Sequence, residues 1–399
     1  MNTAWEMVPF ESLYAEPSKN GVYKSKEFHG AGAKIVNMGE LFGNEFIGPQ
    51  EMKRIQMSDT ELQKSGLIEG DLLFGRRSLV EEGAGKCSIV KGLTDETTFE
   101  SSIIRVRLNQ SEVIPDFYYY WFKSRIGRAG IKAIVTGTNV KGIKSSNLRK
   151  VLVAKPSTQS QKSVVDTIYK YDELIENNNR RISLLEESAR ELYKEWFVRF
   201  RFPGHEHVKI IDGVPEGWRK KTLIDIADLT MGQSPKSEFY NQEGEGLPFH
   251  QGVTNYGFRF VSHETWCTKQ TRLAESGDIL FSVRAPVGRL NITLDKMILG
   301  RGLASIRTKA GCQSFLFYQL KSVFFKEDMI GGGAIYASVT KKDLESFELL
   351  VPTNSLLLEF DEIASNIDAQ IKTLHLSNQN LIEARDLLLP KLMSGEIAV

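Results

Sequence analysis

The chain has 399 residues, 41% hydrophobic and 25% charged, with a net charge of +1. That length gives room for two or three ordinary domains, and the composition is that of a soluble globular protein. Near-neutral charge excludes no partner, because a balanced total can hide a basic face.

The N-terminus, MNTAWEMVPFESLY, carries acids and lacks the apolar core of a signal peptide. No apolar run in the sequence reaches the length of a membrane span. Cys87, Cys267 and Cys312 are odd in number, far apart and without zinc-site spacing. These features predict a cytoplasmic protein with no membrane partner and no metal site.

In chain order, GDLLF at 70–74 resembles GDILF at 277–281, and Arg76 and Arg77 follow it. Arginine reads guanine edges and binds phosphate, so both are candidate nucleic-acid ligands. GAGK at 83–86 lacks the spacing of a phosphate-binding loop, and Cys87 follows where Ser or Thr is needed. SSIIRVRL (101–108) reads as a strand and IPDFYYYWFKSRIG as a helix whose aromatics belong to the core. From Phe117 to Val165 there is no Asp or Glu, but ten Lys or Arg, including Lys123, Arg128, Lys132, Arg149 and Lys155. Inside this stretch lies TGTNVKGIKSSNL (136–148). Its glycines would let the backbone approach phosphates, and Thr138, Asn139, Lys141 and Lys144 are candidate ligands. An ordinary turn before a strand is the plainer alternative.

Past Pro156, a stripe of Val164, Ile168, Tyr171, Ile175, Asn178, Ile182, Leu185, Ala189, Leu192 and Trp196 alternates steps of four and three. That is a heptad seam, and it predicts a helix of about 40 residues, ~60 Å long. Ser157 or Thr158 would cap it. The linker RFPGHEHVKIIDGVPEGW holds His205 and His207, which read as solvated residues rather than metal ligands. Beyond it, MGQSPKSEFY (231–240) and VTNYGF (253–258) supply Gln233, Ser234, Lys236, Asn255 and Tyr256 as further candidate ligands. GDILF at 277–281 is followed by Arg284 and Arg289, then by GLASIRT (302–308) and SFLFYQLKSVFFK. Lys296 to Lys326 is again free of acids. GGAIYASVTKKDL (332–344) includes the candidate Tyr336. A second seam then runs through Phe360, Ala364, Ile367, Ile371, Leu374, Asn378, Leu381, Arg385, Leu388 and Leu392 after Pro352, with Gly395 placed to end the helix.

The second half repeats the first. Residues 137–198 fall on 333–394 without a gap, matching Gly137 with Gly333, Pro156 with Pro352, Asp172 with Asp368 and Leu192 with Leu388. The front blocks keep the same order, with Trp5 matching Trp218. The chain therefore reads as globule, helix, globule, helix. The expected segments are 1–155, 156–200, a linker at 201–215, 216–351 and 352–399. Each apolar stripe needs a partner, and the other copy is the nearest one. Asn178 and Asn378 sit in the seam where the other copy has Leu374 and Ile182, a placement that fixes register at a cost in stability. Asn177 and Asn179 read as solvated. Basic stretches at matching places suggest two surfaces facing a polyanion, although a basic run is more often a solvated face.

The repeat, GVPEGW at the start of the second globule, ARELYKEWFVRFRFPG after the first seam and RDLLLPKLMSGEI near the C-terminus together resemble specificity subunits of type I restriction–modification systems. The resemblance covers the whole chain, but its phrases lie in the helical repeats. It implies an α+β chain: two mixed α/β target-recognition domains joined by a pair of long coiled-coil helices, with an internal pseudo-two-fold repeat. Parallel and antiparallel pairing are both sterically open, and the two-fold arrangement favours antiparallel. The implied partners are double-stranded DNA, two methyltransferase subunits and restriction subunits. S-adenosylmethionine, and the ATP and magnesium of restriction, would be bound by those partners, with no cofactor in this chain. The competing reading is a free-standing DNA methyltransferase or nuclease. No methyl-donor loop, nucleotide fingerprint or nuclease carboxylate cluster stands out to support it.

Overall fold

Each half of the chain enters a central strand of its sheet through the same device. Gly70 and Gly277 take positive φ values of 83° and 87°, where a side chain would be strained. The next residue is a buried aspartate. Asp71 accepts the Ile68 N–H at 2.9 Å and both ends of the Arg107 guanidinium, at 2.8 and 2.7 Å. Asp278 accepts the Glu275 N–H at 2.9 Å and Arg307 Nε at 2.6 Å. Then come the strands Leu72–Gly75 and Ile279–Ser282, whose apolar side chains are fully buried. The likeness of GDLLF and GDILF is thus a strand-entry turn with an internal ion pair.

The computed structural model describes residues 5–324 and 338–397. Contacts divide the chain into two units, residues 1–177 with 377–399 and residues 178–376. The division runs through both long helices, so each unit holds a globular domain and a stretch of each helix. It does not coincide with the five segments expected from sequence, because each stretch buries its apolar face in its own unit's core.

The first unit has a sheet in the order Tyr14–Asn20, Ile103–Leu108, Leu72–Gly75, Cys87–Val90, Phe46–Ile47. The second has Ala227–Met231, Leu303–Thr308, Ile279–Ser282, Leu290–Ile292. The central pairings keep equivalent registers, Ile103 opposite Gly75 and Leu303 opposite Ser282. Met7–Pro9 pairs with Leu152–Ala154, and Arg219–Thr222 with Glu348–Val351, so each globule closes on its own first strand. A second sheet in each unit carries a parallel pair, Lys34–Val36 on Thr97–Phe99 and Phe249–His250 on Ile298–Leu299.

The helices Pro115–Lys123 and Gln313–Phe324 bury their aromatics. Phe117, Tyr118, Tyr119, Tyr120, Trp121 and Phe122 are at most 2% exposed, so they are core residues and not stacking platforms. Each such side chain contributes ~1.5–3 kcal/mol relative to exposure.

The long helices span Thr158–Tyr193, continued by a π turn over Lys194–Val198, and Asn354–Met393. Ser157 caps the first by accepting the Ser160 N–H at 3.2 Å. The second ends with Gly395 at φ 72°. In the first unit, Val164 and Ile168 share a core with Leu389, Leu392 and Met393. In the second, Ile182 clusters with Ile371 and Leu374, while Trp196 meets Phe360 at a ring distance of 5.8 Å. Every seam position is buried or half-buried, including Ile175, Leu185, Leu192, Leu381 and Leu388. Asn378 is buried and Asn178 half-buried. Among the described residues, no helix is long and apolar enough to cross a membrane.

Candidate nucleic-acid interface

In the first unit the buried strand Leu72–Gly75 delivers its chain to a half-buried ribbon on which Arg77 is exposed. Arg76 is held by its main chain: its N–H donates to Ser102 O at 2.8 Å, and its carbonyl accepts the Ile143 N–H at 3.0 Å. Arg77–Ser78 then pairs with Lys141–Gly142, placing Arg77 opposite Gly142 and Ser78 opposite Lys141. The ribbon thus brings Arg76, Arg77 and Lys141 together, candidates that lie 65 residues apart between Arg76 and Lys141. Thr138 and Asn139 are exposed at its turn, and Lys144 is exposed just beyond. Gly137 (φ 105°) is needed there, since a Cβ would come within 2.1 Å of Val140 O.

The second unit repeats this frame. Arg284 bridges Ser338 antiparallel, and the Val339 N–H donates to Val283 O at 2.9 Å, matching the bond from Ile143 to Arg76. Arg284 and Arg289 are exposed. Tyr336 lies outside the described residues. Gln233, exposed, donates its N–H to Leu299 O at 2.8 Å and accepts Thr271 Oγ1 at 2.7 Å on its carbonyl. Ser234 Oγ donates to Gln251 Oε1 at 2.8 Å and accepts the Arg301 N–H at 3.1 Å. The Val283 N–H donates to Gly302 O at 2.9 Å, which sets Arg284 beside this group. Lys236 is exposed, 4.0 Å from Glu238, and Asn255 is half-buried in the loop after Gln251.

Two expectations need correction. Tyr256 does not present its hydroxyl: the ring packs on the cluster of Val261, Leu280 and Leu303, and the hydroxyl is buried without a hydrogen-bond partner. Burial pushes its phenol pKa up. The acid-free stretches are also not open basic faces. Lys123 pairs with Glu45 at 3.0 Å, Lys132 with Glu81 at 3.0 Å, Arg149 with Glu11 at 3.6 Å and Lys155 with Glu112 at 3.2 Å. Arg128 is bonded to the carbonyls of Glu82 and Gly85, at 2.8 and 3.1 Å. In the second unit, Lys296 pairs with Glu275 and Lys321 with Glu186. The acids come from distant parts of the chain, so local sequence could not reveal them. Arg125, Lys150 and Lys162 remain exposed.

Sequence reasoning also missed residues that the fold adds. Gln251 and Arg301 join the second edge. The signal for Arg301 was its setting, Gly-Arg-Gly: a Cβ at Gly300 would lie 2.7 Å from Gln251 Cα, and one at Gly302 would lie 2.4 Å from Gln251 O. At the end of the first ribbon, Leu79, Val80 and Val140 are 83%, 59% and 49% exposed. Apolar groups beside cations suit a groove with methyl groups and phosphates.

His250 is buried; its Nε2 lies 2.8 Å from His263 Nδ1, and His263 Nε2 lies 3.1 Å from Asp295. Burial, with a smaller push from His263, lowers the His250 pKa to about 4. His205 and His207 both lie beside Glu206. Among the described residues, no group of three or more His, Cys, Asp or Glu is placed to hold a metal.

Residues 5–187 and 215–384 match the family described as the type I restriction modification DNA specificity domain. A putative type I restriction enzyme MjaX specificity subunit of Methanocaldococcus jannaschii is 29% identical over 99% of this chain and 94% of its own length. The HindI specificity subunit of Haemophilus influenzae is 23% identical over 91% of this chain and 94% of its own. In fold, the chain is similar to a type I system S subunit from M. genitalium, with a TM-score of 0.57 at 18% identity, covering 97% and 96% of the two chains. With two copies of the domain spanning most of its length, the chain belongs to the type I restriction–modification DNA specificity domain family.

Proposed function

We propose that the chain reads DNA for a type I restriction–modification complex, each unit recognising one half of an asymmetric bipartite target. The observation that carries this is the repeated frame with unlike contents: Arg77 opposite Gly142 and Arg284 opposite Ser338 share a register, while the side chains around them differ. A common backbone sets a common approach to the duplex. Different side chains then read different bases. Arg76, Arg77, Thr138, Asn139, Lys141 and Lys144 serve one half-site. Gln233, Ser234, Lys236, Asn255, Arg284 and Arg289 serve the other, joined by Gln251 and Arg301.

In this reading the two long helices form an antiparallel coiled coil that sets the unread spacer and docks two methyltransferase subunits. Within each unit, later residues of one helix meet earlier residues of the other, which supports the antiparallel sense. Asn178 and Asn378 hold the register. Half-sites read from one face of DNA lie about one turn apart, ~34 Å. The globules 1–155 and 216–351 are the readers, and 156–200 and 352–399 the spacers. The chain itself performs no chemistry and acts in the cytoplasm. S-adenosylmethionine binds to the methyltransferase partners, and ATP and magnesium serve the restriction subunits.

The test is selection from random duplex DNA with the full chain and its methyltransferase partners, followed by mapping of methylated adenines. A two-part motif with unlike halves and one spacer length is expected. A single uninterrupted motif, or methylation by this chain alone, would refute the reading.

A further inference from the structure

Each unit joins its aromatic helix to the long helices through one aspartate, and the two aspartates are repeat equivalents. In the first unit, Tyr120 donates its hydroxyl to Asp172 Oδ2 at 2.5 Å, and Arg385 Nη1 donates to Asp172 Oδ1 at 2.6 Å. Tyr120 belongs to the recognition domain, Asp172 to the first long helix and Arg385 to the second. In the second unit, Tyr318 donates to Asp368 Oδ1 at 3.0 Å and Ser314 to Oδ2 at 2.6 Å. Arg259, from the recognition domain, donates to Asp368 at 2.6 Å, to the Tyr318 hydroxyl at 2.9 Å and to Glu186 on the first long helix. Lys321 completes the group on Glu186.

These charges are deeply buried: the side chains of Arg259, Glu186 and Asp172 are 2%, 6% and 6% exposed. Burial works against the Arg259 charge, but Asp368, Tyr318 and Glu186 outweigh it and hold its pKa above the ordinary value. A buried ionic group is a poor source of stability, since apolar packing of the same volume often does as well. What it adds is direction. A planar guanidinium bonded to fixed partners permits one orientation, whereas apolar surfaces tolerate sliding.

We propose that Arg259 with Tyr318, and Arg385 with Tyr120, are positioning residues that lock the angle of each recognition domain on its helices, and so set how strictly the complex discriminates spacer lengths. This rests on the function proposed above. The arrangements also differ. In the first unit the guanidinium comes from a long helix. In the second it comes from the recognition domain, four residues after Asn255, which ties that candidate reading loop to both helices.

The experiment uses the full chain with its methyltransferase partners and duplexes that keep both half-sites while the spacer varies by single base pairs. The variants are Tyr318→Phe, Tyr120→Phe and Arg259→Lys. Each should lower the ratio of binding at the preferred spacer to binding at its neighbours by roughly fivefold or more, the scale of a lost buried hydrogen bond. Affinity for DNA with one half-site should stay within about twofold, as binding to a single half-site does not depend on the angle between readers. A purely structural role would weaken binding at every spacer alike, and that result, or an unchanged ratio, would overturn the proposal. Should Arg259→Lys fail to fold, the two tyrosine variants keep the charges and decide the matter. A wild-type complex indifferent to spacer length would instead refute the bipartite reading, and the positioning role with it.

Discussion

The first candidate edge is a ribbon of Arg76, Arg77 and Lys141 with an apolar tip at Leu79 and Val80. The second gathers Gln233, Ser234, Gln251 and Arg301 beside Arg284. Both hang from the same register at the end of the same buried strand. Both edges carry cations, but the first adds exposed apolar surface at Leu79 and Val80, whereas the second adds the bonded hydroxyl and amide of Ser234 and Gln251. A duplicated scaffold can therefore hold its backbone constant while its side chains diverge, which is what independent reading of two half-sites requires.

The comparison is broken most severely by exchange. Replacing residues 1–155 by those of a family member with another target should change one half of the methylated motif and leave the other half and the spacer intact. A change in both halves, seen by methylome sequencing, would mean that the units do not read independently. Next in size is pH, where the units should differ. His250 stands where the first unit has Val36, each accepting an equivalent N–H, from Gly300 and Glu100. Its folded pKa, about 4, lies below the ordinary histidine value. The unfolded chain therefore binds the proton first: the stability due to neutral His250 is complete above pH ~6.5 and is lost as pH falls toward 4, by up to about 3 kcal/mol. Glu186 adds acid sensitivity at lower pH, because Arg259 and Lys321 outweigh its burial and hold its carboxyl below the usual range. Hydrogen exchange should find the second unit loosening first between pH 6.5 and 4, and His250→Val should remove most of that difference.

Smaller effects sharpen the map. Arg77→Ala and Arg284→Ala should each cost ~1–3 kcal/mol of binding and relax preference in one half-site only, as read by competition with base-substituted duplexes. Uniform weakening across sequences would reassign them to phosphate. Lys141→Ala with Lys144→Ala should flatten the salt dependence of binding by about two units of slope, ~1 per phosphate contact, while leaving the selected sequence unchanged. An unaltered slope would place that loop away from the backbone.

Long-range features with a period were legible in the sequence. The seam positions of both helices are buried or half-buried, and the likeness of GDLLF to GDILF marks equivalent positions in the two copies. These follow from local patterning, as burial recurs with the geometry of helix and strand. The candidate site was legible only in part. Arg77 and Arg284 could be picked from their place after the repeated strand, but Gln251 and Arg301 join the edge through bonds between loops distant in sequence. Tyr256 looked like a loop residue, and tertiary packing put its ring in the core.

The chain's own order of residues determined the duplicated architecture and the two long amphipathic helices, because these rest on repetition and on heptad periodicity, while the aromatic core follows from an unbroken run of large apolar side chains that must leave water. Only the tertiary structure decided which charges remain available. Lys123 finds Glu45, Arg128 finds the carbonyls of Glu82 and Gly85, and Arg259 finds Glu186 and Asp368. Such partners approach through folding rather than along the chain, and an ion pair depends on distance in space.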